Sequence, residues 1–392
     1  MTSLASHQPA ATAPPAGLPA ADPAAHPALC GLPAVWLRDN CPCRSCRDPG
    51  TGQRLVAVGE LPARVTVAAV TEAGGGVTVV FGPGGHQATF DRAWLASYAG
   101  PAGPVPGAAA TDPRTEDAKR LWSAAGMPHG LPEVTWQAYL SDPAQRRACL
   151  TAVLREGVAL LRDVPARPGA VITVAETFGY VRETNYGRLF DVRIEADPAN
   201  LAFTSLPIPP HTDNPYRDPV PTVQLLHCLH SAAEGGDSAV ADGFRAAATV
   251  RAEDPAAFDV LTRTPVTFAY ADATTSLQAT RPLIGLDPCG RIREIRFSTR
   301  SLQPVRLAPA GAAAFYSAYR ALAGVIARPG SQVTFRLGTG DCLILDNTRI
   351  LHARTAFTGG GPRSRHLQGC YADLDGLGSA LAVGGPADGG PA

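Results

Sequence analysis

Lysine is all but missing from this chain: of its 34 basic residues, only Lys119 is a lysine. The 392 residues include just two methionines, and 34 acidic residues balance the basic ones, so the formal net charge is zero. Balanced charge without a basic run excludes the electrostatic footprint of a nucleic-acid binder and offers an anionic membrane surface nothing to hold. No apolar stretch approaches the roughly 20 residues that a membrane helix needs. The start of the chain is rich in alanine and proline and lacks the basic beginning and apolar centre of a secretion signal. Residues 1–28 are therefore expected to be a disordered leader, and the protein cytoplasmic. Arginine in place of lysine, beside 40 glycines and 37 prolines, reads as a coding bias. An isolated arginine consequently says little here.

Hydrophobic residues make up 45% of the chain, enough to bury the core of one large domain with a small one beside it. From about residue 30 to 100, short β-like runs alternate with glycine-rich turns: Val35-Trp36-Leu37, then residues 64–70, 77–81 and 87–90. A Gly/Pro/Ala stretch over 100–112 marks a boundary. Leu121, Trp122 and residues 136–140 read as pieces of a connector. The spacing over 142–156 predicts a helix with Pro143 at its first position, followed by a buried strand over 157–161 and a helix over 170–178. Strand-like runs recur to Tyr371, interrupted by helical spacing at 255–262 and 310–326. Many strands, two or three helices and no strict βαβ alternation argue against a dinucleotide-binding sheet and for a mainly β fold, a double-sheet jelly roll. The expected divisions are a β-rich domain over 29–102, a linker over 103–130, a large domain over 131–382 and a disordered tail over 383–392.

Nine cysteines is an odd number, unevenly spread. Cys149, Cys228, Cys289, Cys342 and Cys370 are scattered in apolar settings and read as reduced core residues. Cys41-Pro42-Cys43-Arg44-Ser45-Cys46 is too tight for disulfides among all three thiols, but it can wrap thiolates around a tetrahedral zinc ion. The fourth ligand of a structural site is then His86, the only histidine between Cys46 and His129, or else Cys30. Such a site would staple a module too small to stand on its core alone.

A second metal set lies further on. Pro209-Pro210-His211-Thr212-Asp213 is answered by Leu345-Asp346-Asn347-Thr348-Arg349-Ile350-Leu351-His352. Two imidazoles and a carboxylate fill one face of non-haem Fe(II) and leave positions open for a chelating cosubstrate and dioxygen. His211 and Asp213 stand two apart, so on a strand both would point the same way. After His352 come Arg363 and Arg365, either of which on a strand beside the metal can clamp a carboxylate with two parallel hydrogen bonds.

Trp36-Leu37-Arg38-Asp39-Asn40-Cys41 with Cys43 and Cys46, Glu183-Thr184-Asn185-Tyr186-Gly187, His211-Thr212-Asp213, residues 223–228, Gly235-Gly236-Asp237, Asp242-Gly243-Phe244, Asp346-Asn347, His352 and residues 365–371 occur in that order. Together they resemble the γ-butyrobetaine and trimethyllysine hydroxylase branch of the Fe(II)/2-oxoglutarate oxygenases (TauD/TfdA-like), including trimethylammonioethylphosphonate oxygenases. The resemblance spans about residues 30 to 380. It implies a double-stranded β-helix catalytic domain behind a zinc-bearing N-terminal domain, assembled as a homodimer. Matched by motif, Cys41, Cys43, Cys46 and His86 hold structural Zn(II), and His211, Asp213 and His352 hold Fe(II). Arg365 pairs with the distal carboxylate of the cosubstrate 2-oxoglutarate, Leu226 lines that pocket, and Arg363 is the second candidate for the clamp. O₂ and 2-oxoglutarate are consumed, succinate is formed, and an unactivated C–H bond is oxidised.

The resemblance further implies a small-molecule trimethylammonium substrate in an aromatic cage, which suits a soft cation that cannot donate hydrogen bonds. The matching positions are Tyr186, Phe190, Phe203 and Tyr371. The butyrobetaine enzymes resemble this chain with tryptophan where Phe190 stands. For the anionic end Asn200 is kept, whereas a second expected asparagine falls within Phe297-Ser298-Thr299-Arg300. That hydroxyl-rich stretch, with Arg300 and Arg296, suits a stronger anion such as a phosphonate. Three substrates follow: γ-butyrobetaine, 2-(trimethylammonio)ethylphosphonate, and, third, trimethyllysine, whose ammonium head needs an acidic partner. Two readings of another class are a zinc hydrolase and a non-catalytic binding protein.

Overall fold

The computed structural model describes residues 29, 32–98, 114–194, 201–231, 234–358 and 365–383. The expected leader, nearly all of the tail, and Cys30, Asn200 and Arg363 lie outside the described residues. The chain divides into two compact units, 1–111 and 112–392.

In the first unit, strands Thr66–Ala73, Gly76–Gly82 and His86–Asp91 form an antiparallel sheet in chain order. Alternation along the central strand buries Val77, Val79 and Phe81, and Ala88 and Phe90 join them from the third strand. The run Val35-Trp36-Leu37 is a correction, since it belongs to the helix Ala34–Asp39. Pro33 precedes the helix in extended conformation, Leu37 alone is buried, and Trp36 lies against Trp94 and Tyr98 at ring-centroid distances of 5.5 and 5.4 Å. So short an apolar run fits either period, and packing against the sheet decided it.

The second unit is built on two sheets. The larger runs in the order Glu133–Thr135, Val158–Arg162, Cys342–Asp346, Val223–His230, His366–Ala372, Phe190–Arg193. The smaller runs Gln332–Phe335, Ser238–Asp242, Ile350–Arg354, Ile208–His211. Along Cys342–Asp346, Cys342 and Ile344 turn to one core, while Leu343 and Leu345 turn to another. The inner core unites Leu160, Leu343, Leu345 and Leu367 of the larger sheet with Val240, Val333 and Ile350 of the smaller. The outer core packs the larger sheet against the helices Pro143–Arg155, Ala170–Glu176 and Leu374–Val383. This is the jelly roll that the strand-rich pattern predicts, here with strands buried on both faces.

Helices are more numerous than the sequence pattern suggests. Trp136–Ser141, within the expected connector, is helical, and Gly243–Glu253 and Leu374–Val383 were not anticipated. Two of the predicted ones begin as their sequences specify: Asp142 and Asp254 each accept a helix N–H while proline takes the first position. Asp242 caps Gly243–Glu253 in the same way through Phe244 and Arg245. A third core packs this helix with Pro255–Arg263 and Pro309–Ala327.

His227 is fully buried in Val223–His230. Burial pushes its pKa below the ordinary histidine value, outweighing the Val164 backbone and the Asp341 charge. Below about pH 6.5 the unfolded chain binds a proton that the folded chain refuses, so stability falls as pH falls through that value. His227→Leu is expected to flatten this dependence, measured as urea unfolding free energies between pH 5 and 7.

Candidate metal and cavity site

His211 and His352 face each other across two adjacent strands in direct register, with ring centroids 4.1 Å apart. Asp213 is not on the strand, which ends at His211, so the two-residue repeat does not place it. Its placement comes from the far side of the domain. The Asn347 side chain accepts from the Asp213 N–H at 2.7 Å and donates to the Asp213 and Pro221 carbonyls at 2.9 Å each. Thr212 is fixed on its other flank by two bonds to the Phe297 backbone. Asn214 then turns the chain with a positive φ of 54°, a conformation asparagine tolerates.

The outcome is three donor atoms on one face. Asp213 Oδ1 is 3.3 Å from His211 Nε2 and 3.9 Å from His352 Nε2. His211 Nδ1 lies 2.9 Å from the Pro209 carbonyl, which holds the proton on Nδ1 and leaves Nε2 a lone pair. Asp213 Oδ2 is occupied by Gln224 Nε2 at 2.6 Å and the Tyr371 hydroxyl at 2.9 Å, leaving Oδ1 to face the imidazoles. Burial alone would raise Asp213, but His211 and the charges of His352 and Arg300 hold it well below the usual carboxylate range. Burial, reinforced by His211, brings His352 down to about 3. An ionised carboxylate and neutral imidazoles are the protonation states a divalent metal requires.

This face opens on a cavity of about 560 Å³. Tyr186, Phe190, Phe203, Leu226, Ser298, Arg300, Arg365 and Tyr371 all line it, so the structure brings these expected residues together. Thr299 and Arg296 are corrections. Thr299 is exposed in the turn, and Arg296 is buried, with its guanidinium taken up by the Pro215 and Arg217 carbonyls, Glu294 and Asp218. The segment leaves its strand at Ile295, so side chains no longer alternate as the spacing presumes.

Five rings of the wall form one run, two of them not foreseen. Ring centroids run Tyr371–Phe190 5.1 Å, Phe190–Tyr186 6.1 Å, Tyr186–Tyr270 5.7 Å and Tyr270–Tyr216 5.1 Å, which adds Tyr270 and Tyr216 to the expected aromatics. Phe203 lines the cavity from the short turn Leu201–Phe203. Gly369 pairs with Phe190 across the sheet, and a Cβ there would stand 2.4 Å from the Phe190 ring.

At the cationic side, burial lowers Arg365 to about 10, and its guanidinium lies 5.7 Å from the Phe357 ring centre. Gly236 stands behind it, where a Cβ would come within 3.2 Å of Arg365 Cδ. Arg354, two residues past His352, was missed, although a strand's repeat puts both on one face. It donates to the carbonyls of Ala202, Thr204 and Leu206 and so fixes the segment that carries Phe203. Gln224 was missed too, although a lone amide in a buried strand is itself a signal. Tyr270 in its hairpin gave none.

The N-terminal unit gathers the other predicted cluster. His86 Nε2 lies 3.2, 3.7 and 3.6 Å from the sulfurs of Cys41, Cys43 and Cys46. Bonds of about 2.3 Å to sulfur and about 2.0 Å to nitrogen at a tetrahedral centre require separations of about 3.5 Å. Arg38 donates to Cys46 Sγ at 3.1 Å, and Ser45 touches Cys43 Sγ at 3.0 Å. Burial would raise the Cys43 thiol, but its bonds to Ser45 and Cys41 bring it down to about 7.

Known proteins match this arrangement along most of the chain. Residues 117–371 match the family model "Taurine catabolism dioxygenase TauD, TfdA family", and residues 28–96 match "Gamma-butyrobetaine hydroxylase-like, N-terminal". A gamma-butyrobetaine dioxygenase of Pseudomonas sp. (strain AK-1) is 38% identical over 351 residues, 89% of each chain. The human gamma-butyrobetaine dioxygenase is 29% identical over 361 residues, 90% of each chain. The rat mitochondrial trimethyllysine dioxygenase is 30% identical over 355 residues, covering 87% of this chain and 80% of its own. This chain therefore belongs to the TauD/TfdA family and is a 2-oxoglutarate-dependent non-haem iron dioxygenase.

Proposed function

We propose that the protein oxidises an unactivated C–H bond of a small trimethylammonium substrate with an anionic head, as a γ-butyrobetaine hydroxylase does. The observation that carries this reading is that an aromatic arc and Arg300 line the same cavity as the His211, Asp213 and His352 donor face. On this reading those three residues hold Fe(II), which supplies the activation of O₂ when 2-oxoglutarate is bound. Arg365, buried and with no hydrogen-bonded acid among the described residues, receives the distal carboxylate, and Leu226 lines its pocket. Tyr186, Phe190, Phe203 and Tyr371 take the quaternary ammonium, whose attraction to ring faces is worth about 0.5–2 kcal/mol per contact. The chain's own task is to hold one C–H bond towards the metal and keep water out.

A second reading, 2-(trimethylammonio)ethylphosphonate as substrate, is favoured by Arg300, whose charge is felt at both Asp213 and His352. Trimethyllysine is less well supported. Among the described residues lining the cavity, Asp213 is the one carboxylate, and it faces the metal site. Membership of a dioxygenase family removes the ground for a zinc hydrolase or a non-catalytic binding protein. Cys41, Cys43, Cys46 and His86 hold a structural Zn(II), consistent with sulfur-to-nitrogen distances near those of a tetrahedral site. A cytoplasmic homodimer completes the proposal, and no described helix is long and apolar enough to cross a membrane.

Anaerobic reconstitution with Fe(II) and 2-oxoglutarate, followed by O₂, is expected to yield succinate with γ-butyrobetaine. Succinate that fails to form with any trimethylammonium compound would sink the reading, whereas turnover of the phosphonate alone would select the second. Arg300→Gln is expected to lower kcat/KM by about 10- to 100-fold, the worth of a hydrogen bond to a charged group. Gly369→Ala is expected to displace the Phe190 ring and raise KM for the cation several-fold while Fe(II) affinity stays at the wild-type value; mass spectrometry and metal titration follow the two. Removing zinc with a strong chelator is expected to melt the first unit, with release of one zinc ion per chain measured by a colorimetric dye.

A further inference from the structure

In a chain that uses arginine for its other basic residues, the one lysine is placed where solvent does not reach. Lys119 Nζ lies 3.1 Å from Asp346 Oδ2, and the two side chains are 0% and 1% exposed. Asp346 ends the strand Cys342–Asp346, and its Oδ1 accepts from the Thr348 N–H at 3.0 Å and the Thr348 hydroxyl at 2.6 Å. The next residue is Asn347, whose side chain grips Asp213 by both its N–H and its carbonyl. Beyond the turn, Arg349 forms a second fully buried pair, two bonds of 2.9 and 2.7 Å to Asp242. Arg349 also donates to the Arg120 carbonyl at 2.7 Å, and the Trp122 N–H donates to Asp242 at 2.9 Å. The segment 119–122 is thus laced to the 346–349 turn on both sides.

We infer that Lys119 is a positioning residue for the metal-facing carboxylate, acting on Asp213 through Asp346 and Asn347. The inference rests on the reading of His211, Asp213 and His352 as the iron site. Asp213 lies beyond the end of its strand, so no ladder hydrogen bond fixes it, and the Asn347 amide takes that place. Asn347 in turn is only as fixed as the turn that carries it. Without a cation, Asp346 is a buried carboxylate that must take up a proton or leave its place, and either event shifts the turn. An ammonium is a compact point charge and a guanidinium a wider planar fork, so an arginine at this enclosed position keeps the charge but changes the shape that meets Asp346.

Lys119→Met and Lys119→Arg in the full-length protein test this. Lys119→Arg keeps the charge, so it decides the matter should Lys119→Met not fold; near-ultraviolet circular dichroism and thermal melting report folding. Fe(II) affinity is measured anaerobically by equilibrium dialysis and by the charge-transfer absorption of the Fe(II)·2-oxoglutarate complex. The ratio of succinate to oxidised substrate reports coupling. The folded variants are expected to bind Fe(II) about 10- to 100-fold more weakly, as when a group supporting a metal ligand is lost, and to form succinate in excess of product. Wild-type Fe(II) affinity and a one-to-one ratio in folded Lys119→Arg would overturn the inference. A wild-type protein that takes up no Fe(II) would instead overturn the iron reading itself.

Discussion

Everything in the catalytic unit answers to one constraint: a carboxylate that has run off the end of a strand must still face two imidazoles paired across a sheet. The imidazoles are the easier part. His211 and His352 occupy opposed positions of neighbouring antiparallel strands, and the ladder sets their distance. The carboxylate has no ladder, and a single amide side chain, Asn347, replaces it with two reciprocal bonds across 134 residues of sequence. Both the turn that carries Asn347 and the strand that carries His352 leave the same corner of the jelly roll.

That corner is held by charge as well as by the apolar packing of Leu345 and Ile350. Two fully buried ion pairs flank Asn347, Lys119 with Asp346 and Arg349 with Asp242. Buried pairs are weak evidence for stability, because desolvation offsets much of their attraction, but they are directional and cannot slip by a residue as an apolar contact can. The second pair is tied further: Asp242 also caps the helix Gly243–Glu253, and Arg349 takes the Arg155 and Arg120 carbonyls. A connected polar network of this kind fixes a geometry. The cavity beside it divides its chemistry by wall, with aromatic rings from Tyr371 to Tyr216 on one stretch and guanidinium groups of Arg300, Arg354 and Arg365 elsewhere. A zwitterion with a bulky, weakly hydrated cation matches that division.

Much of this was legible in the residues themselves. The two donor sets, Cys41, Cys43, Cys46 with His86 and His211, Asp213 with His352, come together as the motifs suggest, because metal chemistry restricts ligand type and spacing tightly. Helices begun by Asp-Pro at 142–143 and 254–255 were equally readable, since capping is local. Val35-Trp36-Leu37 was misread because three apolar residues carry no period, and Thr299 and Arg296 because their segment is not a strand. Arg354 and Gln224 had signals in spacing and in polarity, respectively, but their partners, the 202–206 carbonyls and Asp213, lie on distant segments.

The sequence by itself therefore determined the local chemistry: which atoms can bind metal, which strands can be buried and where helices start. Those properties are set by side-chain type and by neighbours within a few residues. Only the tertiary structure decided that Asp213 is aimed by Asn347, that Tyr270 and Tyr216 extend the aromatic wall, that Arg296 is spent on backbone carbonyls, and that the lone lysine stands behind the metal site. Each of these depends on which distant segments share a dry interior, where an unpaired charge or amide is costly enough to dictate its partner.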